Sequence, residues 1–273
     1  MMKLAFFGTP EFSIPSLYAL HKSSHDILAV ITIPDKRSGR GQKKTSSPLK
    51  YAAEKFSYPI YQPPDLHDPI FISLLKKMDA DIFVLVAFRI IPEEIISIPR
   101  RGAINIHASL LPKYRGAAPI HHAILNGENK TGVTSFKIQK KVDIGDILLQ
   151  EHYRLSENIT TGEAYNDLAN IGGKLIVNTL NLLEENKLVP VKQDHSLSTA
   201  APKISSNDCR IQWYKSAELI HNQIRAFTPQ PGAYTFFQNK RVKLFNSGVK
   251  LNDVSSILRP GEIQCANQYL KVG

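Results

Sequence analysis

The chain has only two cysteines, Cys209 and Cys265, far apart and with no CxxC spacing. That usage excludes a disulfide framework and supplies no thiolate pair for zinc. No His/Cys/Asp cluster has ligand spacing either, so no metal is expected. No apolar run is long enough to span a bilayer. The first apolar stretch, Leu4 to Phe7, is too short for a secretory leader and runs straight into a turn. That turn reads Gly8-Thr9-Pro10, not GxGxxG, so a dinucleotide site has no support there. Low-complexity tracts are missing, which argues against long disordered segments. The expectation is a soluble, cytoplasmic protein with no membrane partner.

What is present is enough chain for one large or two unequal domains, 273 residues. The net charge is +10, and its location is informative. Residues 34 to 50 carry +5 and residues 203 to 273 carry +6, so everything else sums to −1. An excess confined to one loop and the C-terminal part is the footprint expected for a polyanion. A solvated basic surface is the plainer alternative, which the clustering disfavours.

The chain opens as β-α-β. Lys3 to Phe7 is a short strand, Phe12 to Leu20 has helix-spaced apolar residues, and Ile27 to Ile33 is a continuous β-branched run. Such a run marks a strand buried on both faces of a parallel sheet. Pro34 to Pro48 combines two glycines, two prolines and five cations, which predicts an exposed, mobile loop. Ser47-Pro48 then starts a helix, Pro59 to Gln62 is an edge strand, and Asp68 to Lys77 is a helix. Asp81 to Phe88 is the most apolar run and must be central. A short helix at 92–96 precedes the stretch on which the rest turns.

That stretch is Gly102 to Ile120. Ala103, Ile104 and Ile106 are apolar and alternate with Asn105 and His107. Side chains two apart on a strand share a face, so Asn105 and His107 point the same way. Beyond them lie Ser109-Leu110-Leu111-Pro112, then a basic Gly-containing segment and a helix from about Gly116 to Leu125. The pair can be structural residues hydrogen-bonded at the sheet edge. It can also be a ligand site, because open α/β sheets bind ligands at the carboxyl ends of their strands.

Strands follow at 131–138 and 146–153, with Asp143 and Asp146 in a Gly-bearing loop between them. Either aspartate can be a turn residue or can approach a ligand. A long helix runs from about Thr160 to Glu185, with Gly172-Gly173 allowing close packing. Residues 187–206 read as a linker or a wrapping segment. From Cys209 the character changes to one helix and short alternating strands, the signature of a small β-barrel.

These residues resemble a family. Asn105-x-His107, Ser109-Leu110-Leu111-Pro112 and Asp143 together are similar to the folate-dependent formyltransferases. Gly8-Thr9-Pro10-Glu11-Phe12, Pro34-Asp35-Lys36, Tyr114 to Ile120, Thr131-Gly132-Val133-Thr134, Pro202-Lys203-Ile204, Arg225-Ala226-Phe227 and Pro231-Gly232-Ala233 extend the likeness over nearly the whole chain. The basic loop and C-terminal part are similar to the branch that acts on methionyl-tRNA. The resemblance implies a doubly wound, Rossmann-like, mostly parallel α/β domain over 1–188, a linker over 189–205, and an OB-like tRNA-binding barrel over 206–273. It implies formyl transfer from 10-formyltetrahydrofolate to the methionine α-amino group of initiator methionyl-tRNA, by a monomer without metal.

Asn105, His107 and Asp143 would be catalytic. Asn105 would donate to the oxyanion, and His107 would stabilise it or pass a proton. Asp143 would orient His107 or collect the amine proton through water. Ser109, Leu110, Leu111, Pro112, Phe88, Arg89 and Ile90 would border the folate. Lys36, Arg37, Arg40, Lys43 and Lys44 would contact tRNA, on a loop disordered without it. Arg89, Ile144 and Gln230 depart from the usual family residues, and relatives continue past Gly273, so the barrel is expected to be incomplete. The competing expectations are a formyltransferase for a sugar-nucleotide or purine-intermediate amine, and a tRNA-binding homologue that has lost catalysis.

Overall fold

A computed structural model describes residues 1–38, 43–250, 258–265 and 269–273, with the backbone alone at Arg37, Ser38, Lys43 and Lys44. In chain order the larger elements are β1 (Lys3–Gly8), α1 (Ile14–His21), β2 (Asp26–Ile31), β3 (Lys36–Ser38), β4 (Lys43–Thr45), α2 (Pro48–Glu54), β5 (Ile60–Tyr61), α3 (Pro69–Lys77), β6 (Ile82–Val86), α4 (Glu93–Ile96) and β7 (Ala103–His107). They continue with α5 (Pro119–Leu125), β8 (Lys130–Lys137), β9 (Ile147–Arg154), α6 (Thr161–Glu184), α7 (Ala217–Ala226), β10 (Ala233–Phe237), β11 (Lys240–Leu244), β12 (Ile263–Cys265) and β13 (Leu270–Val272). Contacts divide the chain into two compact units. The first holds residues 1–116, 131–153 and 165–200, and the second holds 117–130, 154–164 and 201–273.

The first unit is built on a seven-stranded sheet in the order β5-β2-β1-β6-β7-β8-β9. The pairs from β5 to β7 are parallel, and β8 lies antiparallel to β7. This is the mostly parallel, Rossmann-like sheet the β-branched runs predict. Alternation gives each strand two buried faces. Ala5, Phe7, Ala29, Ile31, Phe83, Leu85 and Ala103 face one way, against Phe71 and Leu75 of α3. On the other face α6 comes close. A Cβ added to Gly172 would stand 3.0 Å from Ile106 Cγ2, and one added to Gly173 would stand 2.8 Å from the Pro15 carbonyl oxygen. The glycine pair therefore sets that spacing.

Local signals explain the helix starts. Ser47 and Asp68 each accept a hydrogen bond from a first-turn N–H, and a proline occupies the first turn behind each. Two expectations need correction. α5 begins at Pro119, not Gly116, because Gly116 sits at φ 124° and the Ala118 N–H is taken by the Ala201 carbonyl. The basic loop is not structureless at its base. β3 and β4 pair antiparallel, Lys36 opposite Thr45 and Ser38 opposite Lys43. Residues 189–200 wrap the first unit through the Arg115–Ala200 and Ile147–Val191 bridges.

In the second unit α5 packs on α7, and Ile120, Ala123, Ile124, Ile220, Ile224 and Phe227 are buried. β10 and β11 form a hairpin through Gln238 and Asn239, both at positive φ. Two such residues make the type I′ turn that suits strand twist. β12 and β13 form a second antiparallel pair. Among the described residues these short strands form two separate two-stranded sheets.

Candidate active site

Asn105 and His107 continue the sheet face that carries Phe83 and Leu85. Leu85 pairs with Asn105 in register, and His107 ends its strand. The apolar face thus gives way to polar groups at the carboxyl edge. The Gly8, Ala87–Ile90 and His107–Pro112 turns all leave the sheet at that edge. Asn105 is half-buried, and its amide meets no hydrogen-bond partner among the described residues.

His107 is 6% exposed and held from both sides. Its Nε2 lies 2.8 Å from the Tyr114 carbonyl oxygen. A carbonyl only accepts, so Nε2 carries the hydrogen. Nδ1 faces Asp143 Oδ2 at 3.6 Å. That is too long for a direct hydrogen bond and leaves the imidazole edge available. Phe136 meets the ring edge-on at 6.4 Å between centroids.

Asp143 is 8% exposed, and its Oδ2 accepts the Gly116 N–H at 2.9 Å. Oδ1 has no partner among the described residues. Its backbone sits at φ 54°. That left-handed region costs a non-glycine residue roughly 1–2 kcal/mol and needs support. Gln193 supplies it, with Nε2 donating to the carbonyls of Asp143 (3.0 Å) and Gly145 (2.7 Å). Arg115 fixes Gln193 in turn, donating from Nε at 3.1 Å and from a terminal nitrogen at 2.6 Å to Oε1. At Gly145 a Cβ would stand 1.6 Å from the Lys137 carbonyl oxygen, so only glycine fits.

The Ser109–Pro112 turn is stapled from below. Thr134 Oγ1 donates to the Ser109 carbonyl (2.6 Å) and accepts from the Leu111 N–H (3.1 Å). Gln150 Nε2 reaches both Thr134 Oγ1 and the Leu111 carbonyl at 2.9 Å. Ser109 and Leu111 are buried, while Leu110 and Pro112 are half-buried. Phe88 packs on Phe7 with centroids 5.6 Å apart. Arg89 donates to the carbonyls of Pro63 and Pro64, and Ile90 is 76% exposed.

Lys36 is exposed, Arg37, Lys43 and Lys44 are placed by backbone only, and Arg40 lies outside the described residues. The hairpin follows β2, whose carboxyl end lies at the same edge as that of β7. β2 and β7 are separated by β1 and β6. Three strand spacings put about 14 Å between the carboxyl ends of β2 and β7. The root is anchored by Asp35, which accepts from Gln62 at 2.7 Å and from Lys50 at 2.9 Å. These bonds, Gln62 first, hold the Asp35 carboxyl far below the usual carboxylate range.

The structure brings Asn105, His107 and Asp143 together, with the Ser109–Pro112 and Phe88–Ile90 turns on the same sheet edge. Sequence reasoning gave no role to Gln193, Thr134 or Gln150. Thr134 and Arg115 lie in segments already singled out, but Gln193 and Gln150 act on partners distant in sequence. Among the described residues no His/Cys/Asp/Glu group could hold a metal, and no helix is long and apolar enough to cross a membrane.

Comparison with known proteins adds the following. Residues 2–180 match a family model described as formyl transferase, and residues 203–272 match one described as formyl transferase, C-terminal domain. A methionyl-tRNA formyltransferase of Moorella thermoacetica is 44% identical over 263 residues, 96% of this chain and 84% of that protein. One from Pelotomaculum thermopropionicum is 42% identical over 268 residues, 98% of this chain and 85% of that protein. The crystal structure of WlaRD, a sugar 3N-formyl transferase with dTDP and 5-N-formyl-THF, superposes with a TM-score of 0.75 at 24% identity. The match covers 100% of this chain and 93% of that one.

Proposed function

The chain belongs to the formyl transferase family, and on that premise we propose that it transfers the formyl group of 10-formyltetrahydrofolate to the methionine α-amino group of initiator methionyl-tRNA. The observation that carries this reading is Asn105, His107 and Asp143 converging at one sheet edge, in a chain 42% and 44% identical to two methionyl-tRNA formyltransferases.

The amine nitrogen attacks the formyl carbon, a C–N bond forms, and the carbonyl oxygen becomes an oxyanion. The open Asn105 amide donates to that oxyanion. Losing one such donor costs on the order of 10²–10³ in rate. Collapse breaks the bond from carbon to folate N10, which takes a proton and leaves as tetrahydrofolate. His107 Nε2 is committed to the Tyr114 carbonyl, so Nδ1 is the atom that gives or takes a proton. Asp143 keeps Oδ1 free to collect the proton shed by the amine, and its Oδ2 faces Nδ1. Leu110 and Pro112, on a turn that Thr134 and Gln150 hold through the backbone of Ser109 and Leu111, offer apolar surface to the pterin together with Phe88. Arg89 braces that wall from Pro63 and Pro64, with Ile90 at its rim.

Lys36, Arg37, Arg40, Lys43 and Lys44 reach the acceptor-stem phosphates. We assign 1–188 to catalysis, 189–205 to a linker and 206–273 to tRNA binding, in a cytoplasmic monomer. The experiment is formyl transfer from labelled 10-formyltetrahydrofolate to methionyl-tRNA, to a sugar-nucleotide amine and to glycinamide ribonucleotide in parallel. Label on methionyl-tRNA is the expected result. Label only on another acceptor refutes the assignment.

A further inference from the structure

The second unit contains a cavity of about 330 Å³ walled by Asn158, Thr160, His221, Arg225, Ser247 and Gly248. Arg225 is 6% exposed, yet no carboxylate pairs with it among the described residues. Its acceptors are all neutral. Asn222 Oδ1 takes Nε at 2.9 Å and a terminal nitrogen at 2.8 Å. The Ile159 and Ile124 carbonyls lie at 3.3 and 3.5 Å, the long end of the hydrogen-bond range. Burial lowers the guanidinium's pKa, but arginine stays protonated at neutral pH. A buried charge without a countercharge is unfavourable unless something supplies one.

The other walls suit an anion. His221 Nε2 donates to the Glu157 carbonyl at 3.3 Å, and its Nδ1 meets Ser247 Oγ at 2.9 Å. In the Thr160 wall, the N–H and hydroxyl of Thr160 donate to Glu163 Oε2 at 2.8 and 2.7 Å. A Cβ added at Gly248 would meet nothing within 4 Å, so the backbone there borders open space. The volume equals that of roughly ten waters, ample for one phosphate and its bridging waters. Residues 203–273 carry +6, which favours a polyanion nearby.

We propose that this cavity is an anion site that receives one backbone phosphate of the RNA substrate, a step that rests on the acceptor proposed above. Arg225 supplies the charge, and the Asn158 side-chain amide and the backbone at Gly248 supply orientation.

Arg225→Gln would remove the charge but also untie Ile124 and Ile159, so the decisive variant inserts a negative charge instead. In Ser247→Asp a carboxylate occupies the place of the phosphate. Ser247→Asn is the neutral control. The full chain is titrated with inorganic phosphate against chloride at constant ionic strength, and the Gly248 and Arg225 NMR signals are followed. Shifts are expected in the wild type and Ser247→Asn and not in Ser247→Asp. In formylation, Ser247→Asp is expected to raise KM for methionyl-tRNA about tenfold with kcat and folate KM unchanged. Its salt slope should fall by about 0.7–0.9, the loss of one phosphate contact.

No phosphate-dependent shift in the wild type overturns the site. Phosphate binding with an unchanged tRNA KM in Ser247→Asp overturns its assignment to RNA. A wild type that does not formylate methionyl-tRNA overturns the acceptor, while the phosphate titration still decides whether the cavity binds anions.

Discussion

Replacing Gln193 by alanine removes a side chain that holds the Asp143 loop through two of its carbonyls. Gln193 Nε2 serves two carbonyls, of Asp143 and Gly145, and Oε1 receives two donors from Arg115. Leaving a buried carbonyl unpaired costs about 1–3 kcal/mol, so two such losses come to roughly 2–4 kcal/mol once water partly compensates. Asp143 then loses the support for its left-handed backbone at φ 54° and relaxes toward an ordinary conformation. A carboxylate displaced by about 1 Å in a proton-transfer step costs up to roughly 10²-fold in rate. Steady-state kinetics of Gln193→Ala should therefore show kcat down about 30- to 100-fold, with the KM for each substrate within threefold. Gln193→Glu keeps the shape and the Arg115 contact, but its carboxylate donates to neither carbonyl and its acid form to only one. Its kcat should recover toward low pH, where the acid can donate again. A Gln193→Ala enzyme that unfolds at lower temperature but keeps kcat within twofold would refute the positioning role.

Thr134→Val keeps the shape but deletes the hydroxyl that joins Ser109, Leu111 and Gln150. Urea unfolding should show a loss of about 3 kcal/mol, and folate KM should rise. Gly145→Ala must push the loop off the Lys137 carbonyl, so kcat should collapse while folate still binds by fluorescence titration. His25 is held neutral, because its Nδ1 accepts from the Met2 N–H and burial lowers its pKa below 6.5. The unfolded chain then binds that proton more readily than the folded one, so stability should fall as pH drops through 6.5 and level off below the folded pKa. Thermal unfolding at pH 7.5 and 5.5 should show a smaller pH difference in His25→Asn. Neutralising Arg40, Lys43 and Lys44 together should raise tRNA KM and flatten its salt dependence, and an unchanged slope would remove the hairpin from the interface.

The parallel sheet was legible because burial on both faces writes itself as continuous apolar runs, at Ile27–Ile33 and Asp81–Phe88. The shared face of Asn105 and His107 followed from the two-residue period alone. The 36–45 hairpin was hidden because backbone pairing between basic residues leaves no apolar alternation to read. The α5 start was misplaced because Gly116 takes a positive φ and a residue distant in sequence, Ala201, claims the Ala118 N–H. Gln193 looked like one more polar residue of a linker. Its burial is created by Arg115 and the Asp143 loop, which sequence patterning does not encode. Arg225 read as part of a family motif, and only its surroundings reveal that no described carboxylate pairs with its charge.

The central claim is that the Asn105 amide, with His107 and Asp143 beside it, stabilises the transition state of formyl transfer to methionyl-tRNA. Single-turnover transfer by wild type and Asn105→Ala, with folate and tRNA saturating, measures it directly. The account predicts a rate lower by on the order of 10²–10³ in the variant, with folate affinity preserved. Equal rates for the two proteins would contradict it.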